Sequence, residues 1–154
     1  MSEELQLKIE EFLLKNGSKG KVSELVPLTG GASAETWSFT FSNKNKSERM
    51  ILRRGSGKKS PLAVLKSEEA VIQQKVKSSG APVPSIVAIS SGDKDLGDAY
   101  LMRLIPGESI ARKILRDKKF SEARQKLAFQ CGEALAKIHS VNLNDFDQVP
   151  KKPI

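Results

Sequence analysis

Leu28-Thr-Gly-Gly-Ala-Ser-Ala-Glu-Thr-Trp37 joins two apolar runs, Val22–Leu28 and Trp37–Phe41, and its reading decides the fold. The second run alternates strictly. Trp37, Phe39 and Phe41 share one face, and Ser38, Thr40 and Ser42 share the other. A period of two predicts a half-buried strand, so the quoted stretch becomes a glycine-rich turn between two strands. Gly30 and Gly31 have no Cβ, which lets their backbone approach another group closely and present N–H donors. Ser33 and Thr36 add hydroxyls. Donors of this kind, in a loop with no acidic side chain at its tip, suit a phosphate. An ordinary hairpin turn fits the same residues, because short glycine motifs are weak evidence alone.

Outward from the loop, Leu5, Ile9, Phe12 and Leu13 fall at helical spacing, predicting an amphipathic helix over 3–15 that closes at Asn16-Gly17. Beyond Trp37–Phe41, a polar turn over 43–48 leads to a third strand, Arg49–Arg54. Gly55–Ser60 is a connector, and Pro61 sits at a helix start, where its missing N–H costs nothing. That helix is predicted to run to Ser79 and to stop at Gly80, before Ala81-Pro-Val-Pro84 forces an extended path. A fourth strand covers Ile86–Ser90, Gly92–Asp98 is a charged turn, and Ala99–Ile105 is a fifth strand broken by Pro106-Gly107. Short helical material over 109–116 precedes a long helix, Ser121–Ser140, with an apolar stripe of Leu127, Cys131, Ala134, Leu135 and Ile138. From Val141 the chain reads as a polar linker. The order implies an α+β fold: an antiparallel sheet of five strands with a helix packed on it, then the start of a helical unit.

At 154 residues the chain is one domain, or one lobe of something larger, and long enough to bury a core. Lys and Arg total 26 against 18 Asp and Glu, an excess compatible with nucleic acid, an anionic membrane surface or a phosphorylated ligand. The basic residues are scattered over 44–59 and 112–119. The one Trp, one Tyr and six Phe are not interleaved with them as a base-stacking surface requires. Nucleic acid is therefore not the expected partner. Cys131 is alone, so no internal disulfide forms and a reducing compartment is expected. One Cys and one His do not make a zinc site of the usual type, so no metal site is expected. The acidic N-terminus does not read as a signal peptide. No apolar stretch approaches the ~20 residues that span a bilayer. A cytoplasmic chain with no membrane partner is the expectation.

Gly55–Ser60 lies between a strand and a helix, where a phosphate-binding Walker loop would lie. Such a loop needs a glycine five positions before the Gly57-Lys58 pair, and Leu52 stands there, so the segment reads as a linker. Arg53, at the end of the third strand, shares a face with Ile51 and in isolation fits a solvated edge charge. Glu69 changes that reading, because it falls inside the helical stripe Leu65, Ile72, Val76, with Glu68 beside it. A carboxylate on a packing face is costly unless paired, and the nearest cation is Arg53 or Arg54.

A strand cation paired to a helix glutamate, downstream of a glycine loop, is how protein-kinase-like folds position ATP phosphates. At this point the chain resembles the N-terminal half of the aminoglycoside phosphotransferase/choline kinase family. The resemblance rests on Leu28-Thr-Gly-Gly-Ala-Ser33, Ile51-Leu-Arg-Arg54, Glu68/Glu69, Gly80-Ala-Pro-Val-Pro84, Tyr100-Leu-Met102, Pro106-Gly107 and Leu135-Ala-Lys-Ile-His139, in order over about 22–140. It implies a nucleotide-binding N-lobe over 1–105, a hinge and the first C-lobe helices over 106–140, and a linker over 141–154. It also assigns Gly31, Ala32, Ser33 and Ala34 to the nucleotide loop, with Ser33 on a phosphate. Arg53 takes the place of the kinase lysine and Glu69 that of its helix partner. Met102 to Ile105 would be the hinge, with the backbone of Arg103 and Ile105 reading adenine. His139 matches a structural histidine at a helix end.

Two departures qualify the likeness. Arg53 replaces lysine; its forked donors still clamp phosphate, with different geometry. The family's catalytic loop, His-Gly-Asp followed by Asn, is absent, since the single histidine, His139, precedes Ser-Val-Asn. The later metal-binding aspartate is absent too. No residue of this chain is therefore assigned a catalytic role. The resemblance implies a small-molecule phosphotransferase truncated before its catalytic lobe, using Mg-ATP in the intact enzyme, with a small-molecule hydroxyl as acceptor and no turnover by this chain alone. The alternative is a non-catalytic nucleotide-binding or protein-interaction module. Self-association through the C-lobe helices is a further expectation.

Overall fold

The structure, a computed structural model, describes residues 2–28, 34–44, 46–55, 64–93 and 96–146. The elements run α1 (Ser2–Lys15), β1 (Lys21–Pro27), β2 (Ala34–Ser42), β3 (Ser47–Gly55), α2 (Lys66–Ser78), β4 (Ile86–Asp93), β5 (Gly97–Arg103), α3 (Ala111–Arg116) and α4 (Ser121–His139). Short 3-10 turns at Lys118–Phe120 and Leu143–Phe146 flank α4. The strands form one sheet in the order β1-β2-β3-β5-β4, antiparallel throughout. The α+β class and the five-stranded antiparallel sheet are those the sequence predicts. The chain divides into two compact units, Met1–Gln74 with Pro84–Leu104, and Lys75–Val83 with Ile105–Ile154.

The first unit holds the sheet. Alternation in β2 buries Phe39 and Phe41 and packs Trp37 against them, as a period of two requires. Met50 and Leu52 of β3 and Ala99 and Leu101 of β5 complete that face, and α1 lays Leu5, Ile9, Phe12 and Leu13 onto it. Each buried side chain of this size contributes roughly 1.5–3 kcal/mol, so α1 anchors this side of the sheet. It also covers an edge. The Gln6 amide donates to the Val22 carbonyl (2.8 Å), and the Val22 N–H donates to Glu10 (2.8 Å). Both outward groups of that edge-strand residue are thus satisfied by a helix rather than left to pair with another chain. Gly20 stands just before β1, where a Cβ would come within 2.5 Å of the Phe41 ring and the Ser42 carbonyl.

The β1–β2 pairing continues to the base of the glycine loop, where the Leu28 N–H donates to the Thr36 carbonyl (2.8 Å). The loop is therefore a hairpin connection; Thr29–Ser33 lie outside the described residues. A bulge interrupts β1 between Ser23 and Val26. Within it Glu24 takes a positive φ of 52°, and its carboxylate accepts from Thr40 (2.6 Å).

The second helix departs from expectation. It begins at Lys66, with Val64 and Leu65 before it in no regular structure, and Pro61–Ala63 lie outside the described residues. Nor does the stripe Leu65, Ile72, Val76 carry its packing. Leu65 is 53% exposed, and the buried residues of α2 are Lys66 and Ala70. The physical reason is that polar partners from the sheet, not an apolar face, fix its start. Asp98 at the beginning of β5 accepts from the Lys66 N–H (2.6 Å), the Ser67 N–H (2.8 Å) and the Ser67 hydroxyl (2.8 Å). Glu68 accepts from the Leu65 N–H (3.1 Å), which is half of a capping box.

In the second unit, Arg124 donates to the carbonyls of Ile114 (2.8 Å) and Asp117 (2.9 Å) and so closes the end of α3. The expected stripe of α4 is open: Leu127, Leu135 and Ile138 are exposed and the helix has no buried residue. The stretch expected as a linker from Val141 carries the Leu143–Phe146 turn, with the Lys75 ammonium 5.2 Å from the centre of the Phe146 ring. Among the described residues no helix is long and apolar enough to cross a membrane.

Candidate functional site

Register decides which arginine meets the helix carboxylate. In β3, Arg53 faces Thr36 of β2 on one side and Tyr100 of β5 on the other. Its face is opposite that of Leu52 and the apolar core, because successive strand residues alternate. The Arg53 Nη1 donates to Glu69 Oε1 at 2.6 Å. Arg54, on the other face, instead sends both Nε (3.1 Å) and Nη2 (2.5 Å) to Glu35 Oε2. The sequence leaves the two arginines open as partners of Glu69; the structure pairs Arg53 with it.

Glu69 lies one turn into α2 and collects several donors. Its Oε1 also accepts from the Tyr100 hydroxyl (2.8 Å), and its Oε2 from the Lys66 ammonium (2.6 Å). The Tyr100 oxygen in turn accepts from Arg53 Nη1 (3.2 Å) and from the Gln73 amide (3.0 Å). Arg53 and Glu69 side chains retain 29% and 25% of their surface, so the pair is neither solvated nor fully dry. Two cations share one carboxylate, which leaves local positive charge. Burial would raise the Glu69 carboxyl, but hydrogen bonds from Lys66 and Tyr100 and the charges of Arg53 and Lys66 outweigh it and hold the group below its ordinary value. The phenol of Tyr100, by contrast, is pushed up to about 12 by burial and then by the Glu69 carboxylate.

Of the other candidate residues, Gly31, Ala32 and Ser33 lie outside the described residues. Ala34 opens β2, buried, and pairs with Gly55. Met102 is half-buried in β5 opposite Ile51 and Ile86. Arg103 ends that strand with its side chain 3.4 Å from Glu48, and its N–H donates to the Ser85 carbonyl (2.9 Å). Ile105 follows β5 and is exposed. His139 is the last residue of α4 and is exposed, as a helix-end side chain suits.

Sequence reasoning missed Tyr100, Lys66, Gln73 and Asp98 as parts of this cluster. Lys66 and Gln73 had a signal, since they stand three before and four after Glu69 on one helical face. Tyr100 had none, because an aromatic residue in a strand reads as core. Asp98 reads as a turn charge, and its role exists only once β5 and α2 meet.

A strand cation held by a helix carboxylate beside a glycine hairpin can steady the phosphates of a nucleotide, since a guanidinium matches their paired oxygens and their charge. Comparison with known proteins agrees in class. No curated protein matches the chain. A model described as APH, phosphotransferase enzyme family, matches residues 24–151, from within β1 past the Leu143–Phe146 turn. The α+β fold with its five-stranded antiparallel sheet is consistent with a kinase-like N-lobe, and the chain belongs to that phosphotransferase family.

Proposed function

We propose that this chain is the ATP-binding portion of a small-molecule phosphotransferase that transfers phosphate to a hydroxyl. The observation that carries the reading is the 2.6 Å contact between Arg53 and Glu69, made on the sheet face away from the core and at the end of β3 nearest the glycine hairpin. An arginine held there by a helix carboxylate presents fixed positive charge to an anion. Gly31, Ala32, Ser33 and Ala34 then enclose the phosphates, with the Ser33 hydroxyl on one of them. Met102, Arg103 and Ile105 stand by the base.

Phosphoryl transfer also requires groups that orient the nucleophile and hold Mg²⁺. His-Gly-Asp does not occur in the sequence, so the chain alone is expected to bind Mg-ATP without turnover. A second reading is a nucleotide-binding module with no catalytic role, which ATP binding without turnover would favour. The lone Cys131 suits a cytoplasmic location, and the scattered basic residues suit a phosphorylated ligand better than a nucleic acid.

Calorimetric titration with Mg-ATP tests the proposal. The wild-type chain is expected to bind, and Arg53→Ala, checked for an intact fold by circular dichroism, to bind at least tenfold more weakly, as loss of a charged hydrogen bond worth roughly 1.5–3 kcal/mol requires. Equal affinity in the two proteins would remove Arg53 from the site.

A further inference from the structure

Arg53 and Arg54 are neighbours with opposite habits. Arg54 gives both its Nε and its Nη2 to Glu35, which closes that edge of its guanidinium. Arg53 meets Glu69 through Nη1 alone, and its Nε and Nη2 hydrogen-bond to no other described residue. An arginine and a carboxylate left to themselves favour two parallel bonds, so a single-armed pair needs a cause. The surroundings supply it. Lys66 occupies Glu69 Oε2 at 2.6 Å, and the Tyr100 hydroxyl occupies part of Oε1 at 2.8 Å. The carboxylate is therefore not free to swing across the guanidinium edge.

Tyr100 is suited to this task. A phenol offers one donor and two acceptor sites, and all three are in use: it donates to Glu69 and accepts from Arg53 Nη1 (3.2 Å) and Gln73 (3.0 Å). The ring is fully buried and stands directly across from Arg53 in the β3–β5 pairing. Two contacts in different directions on one nitrogen fix a planar guanidinium.

We infer that Tyr100 is a positioning residue whose hydroxyl, with Lys66, keeps the Arg53–Glu69 pair single-armed and so leaves the Nε/Nη2 edge of Arg53 open to the phosphates of a nucleotide. The inference rests on the nucleotide reading above. It makes phosphate affinity depend on a side chain that touches no phosphate. Removing the hydroxyl lets Glu69 close over the open edge, as Glu35 closes over that of Arg54.

The test is calorimetry of the wild type and Tyr100→Phe with Mg-ATP, Mg-ADP and adenosine, together with ¹⁵N NMR of the Arg53 side chain. Tyr100→Phe is expected to lose roughly three- to tenfold in affinity for both phosphorylated ligands and nothing for adenosine. The Arg53 Nε and Nη signals are expected to shift in Tyr100→Phe and to stay separate, as Glu69 closes over that edge and holds the group. Unchanged nucleotide affinity, or equal weakening of all three ligands, overturns the inference while leaving nucleotide binding in place. A wild type that binds neither nucleotide overturns the nucleotide reading and this inference with it. Should Tyr100→Phe not fold, Lys66→Met carries the same test, because it frees Glu69 Oε2.

Discussion

Glu69 and Tyr100 share one short hydrogen bond, and they give the protein opposite pH limits. The Glu69 carboxyl titrates lower in the folded chain than in the unfolded one, despite burial, because Lys66, Tyr100 and Arg53 favour its charged form. As pH falls the unfolded chain takes the proton first. The stability that Glu69 contributes is complete above its unfolded value and drains as pH falls through its folded one. Tyr100 is the mirror case. Burial first, then Glu69, raises its phenol from 10 to about 12, against the pull of Arg53 and Gln73. Its share is complete below pH 10 and is lost as pH rises toward 12. Urea denaturation across pH is expected to show a plateau with a fall on each side. Glu69→Gln should flatten the acid fall in part, since Glu10, also lowered, contributes there. Tyr100→Phe should flatten the alkaline one. Tyr100 is the only tyrosine, so phenolate absorbance reads its ionisation directly, and a midpoint near 10 would refute the buried, Glu69-bonded phenol. Glu69 was legible in the sequence because a carboxylate inside an apolar stripe demands a partner. The choice of Arg53 over Arg54 was not, because adjacent strand residues differ only in the face they present.

At the scale of elements, α2 is the instructive case. The strands were legible to within a few residues, since alternation is written into β2 and the glycine and proline breaks punctuate the rest. The start of α2 was not. Pro61 is a good first helical residue by local preference, yet the helix begins at Lys66, where the Asp98 carboxylate meets two backbone N–H groups and the Ser67 hydroxyl. A residue 31 or 32 positions away cannot be seen in the local sequence. Asp98→Ala is expected to cost about 1–2 kcal/mol, the usual worth of a cap. Amide exchange should accelerate over Lys66–Ala70 and remain slow in β2 and β3. Uniform acceleration across the sheet would mean that Asp98 supports the whole unit rather than the helix end.

At the scale of the molecule, the second unit carries an apolar face with nothing described against it. Leu135 is 52% exposed, Leu127 44% and Ile138 40%, all toward one side of α4. The proposal of self-association through α4 rests on that surface, because contiguous exposed apolar groups favour association. Sedimentation equilibrium is expected to show mass rising with concentration, and Leu127→Gln with Leu135→Gln to restore the monomer. A wild type that stays monomeric throughout would end the proposal. The sequence alone determined the fold class, the strand order along the chain and the carboxylate that seeks a cation, because period, turn chemistry and the cost of a buried charge are local properties. Only the tertiary structure decided which arginine answers Glu69, that Tyr100 and Lys66 hold the pair, and that Asp98 fixes where α2 begins. Each of those depends on register and on contacts between residues far apart in the chain, and the energy that selects them exists only after the sheet has formed.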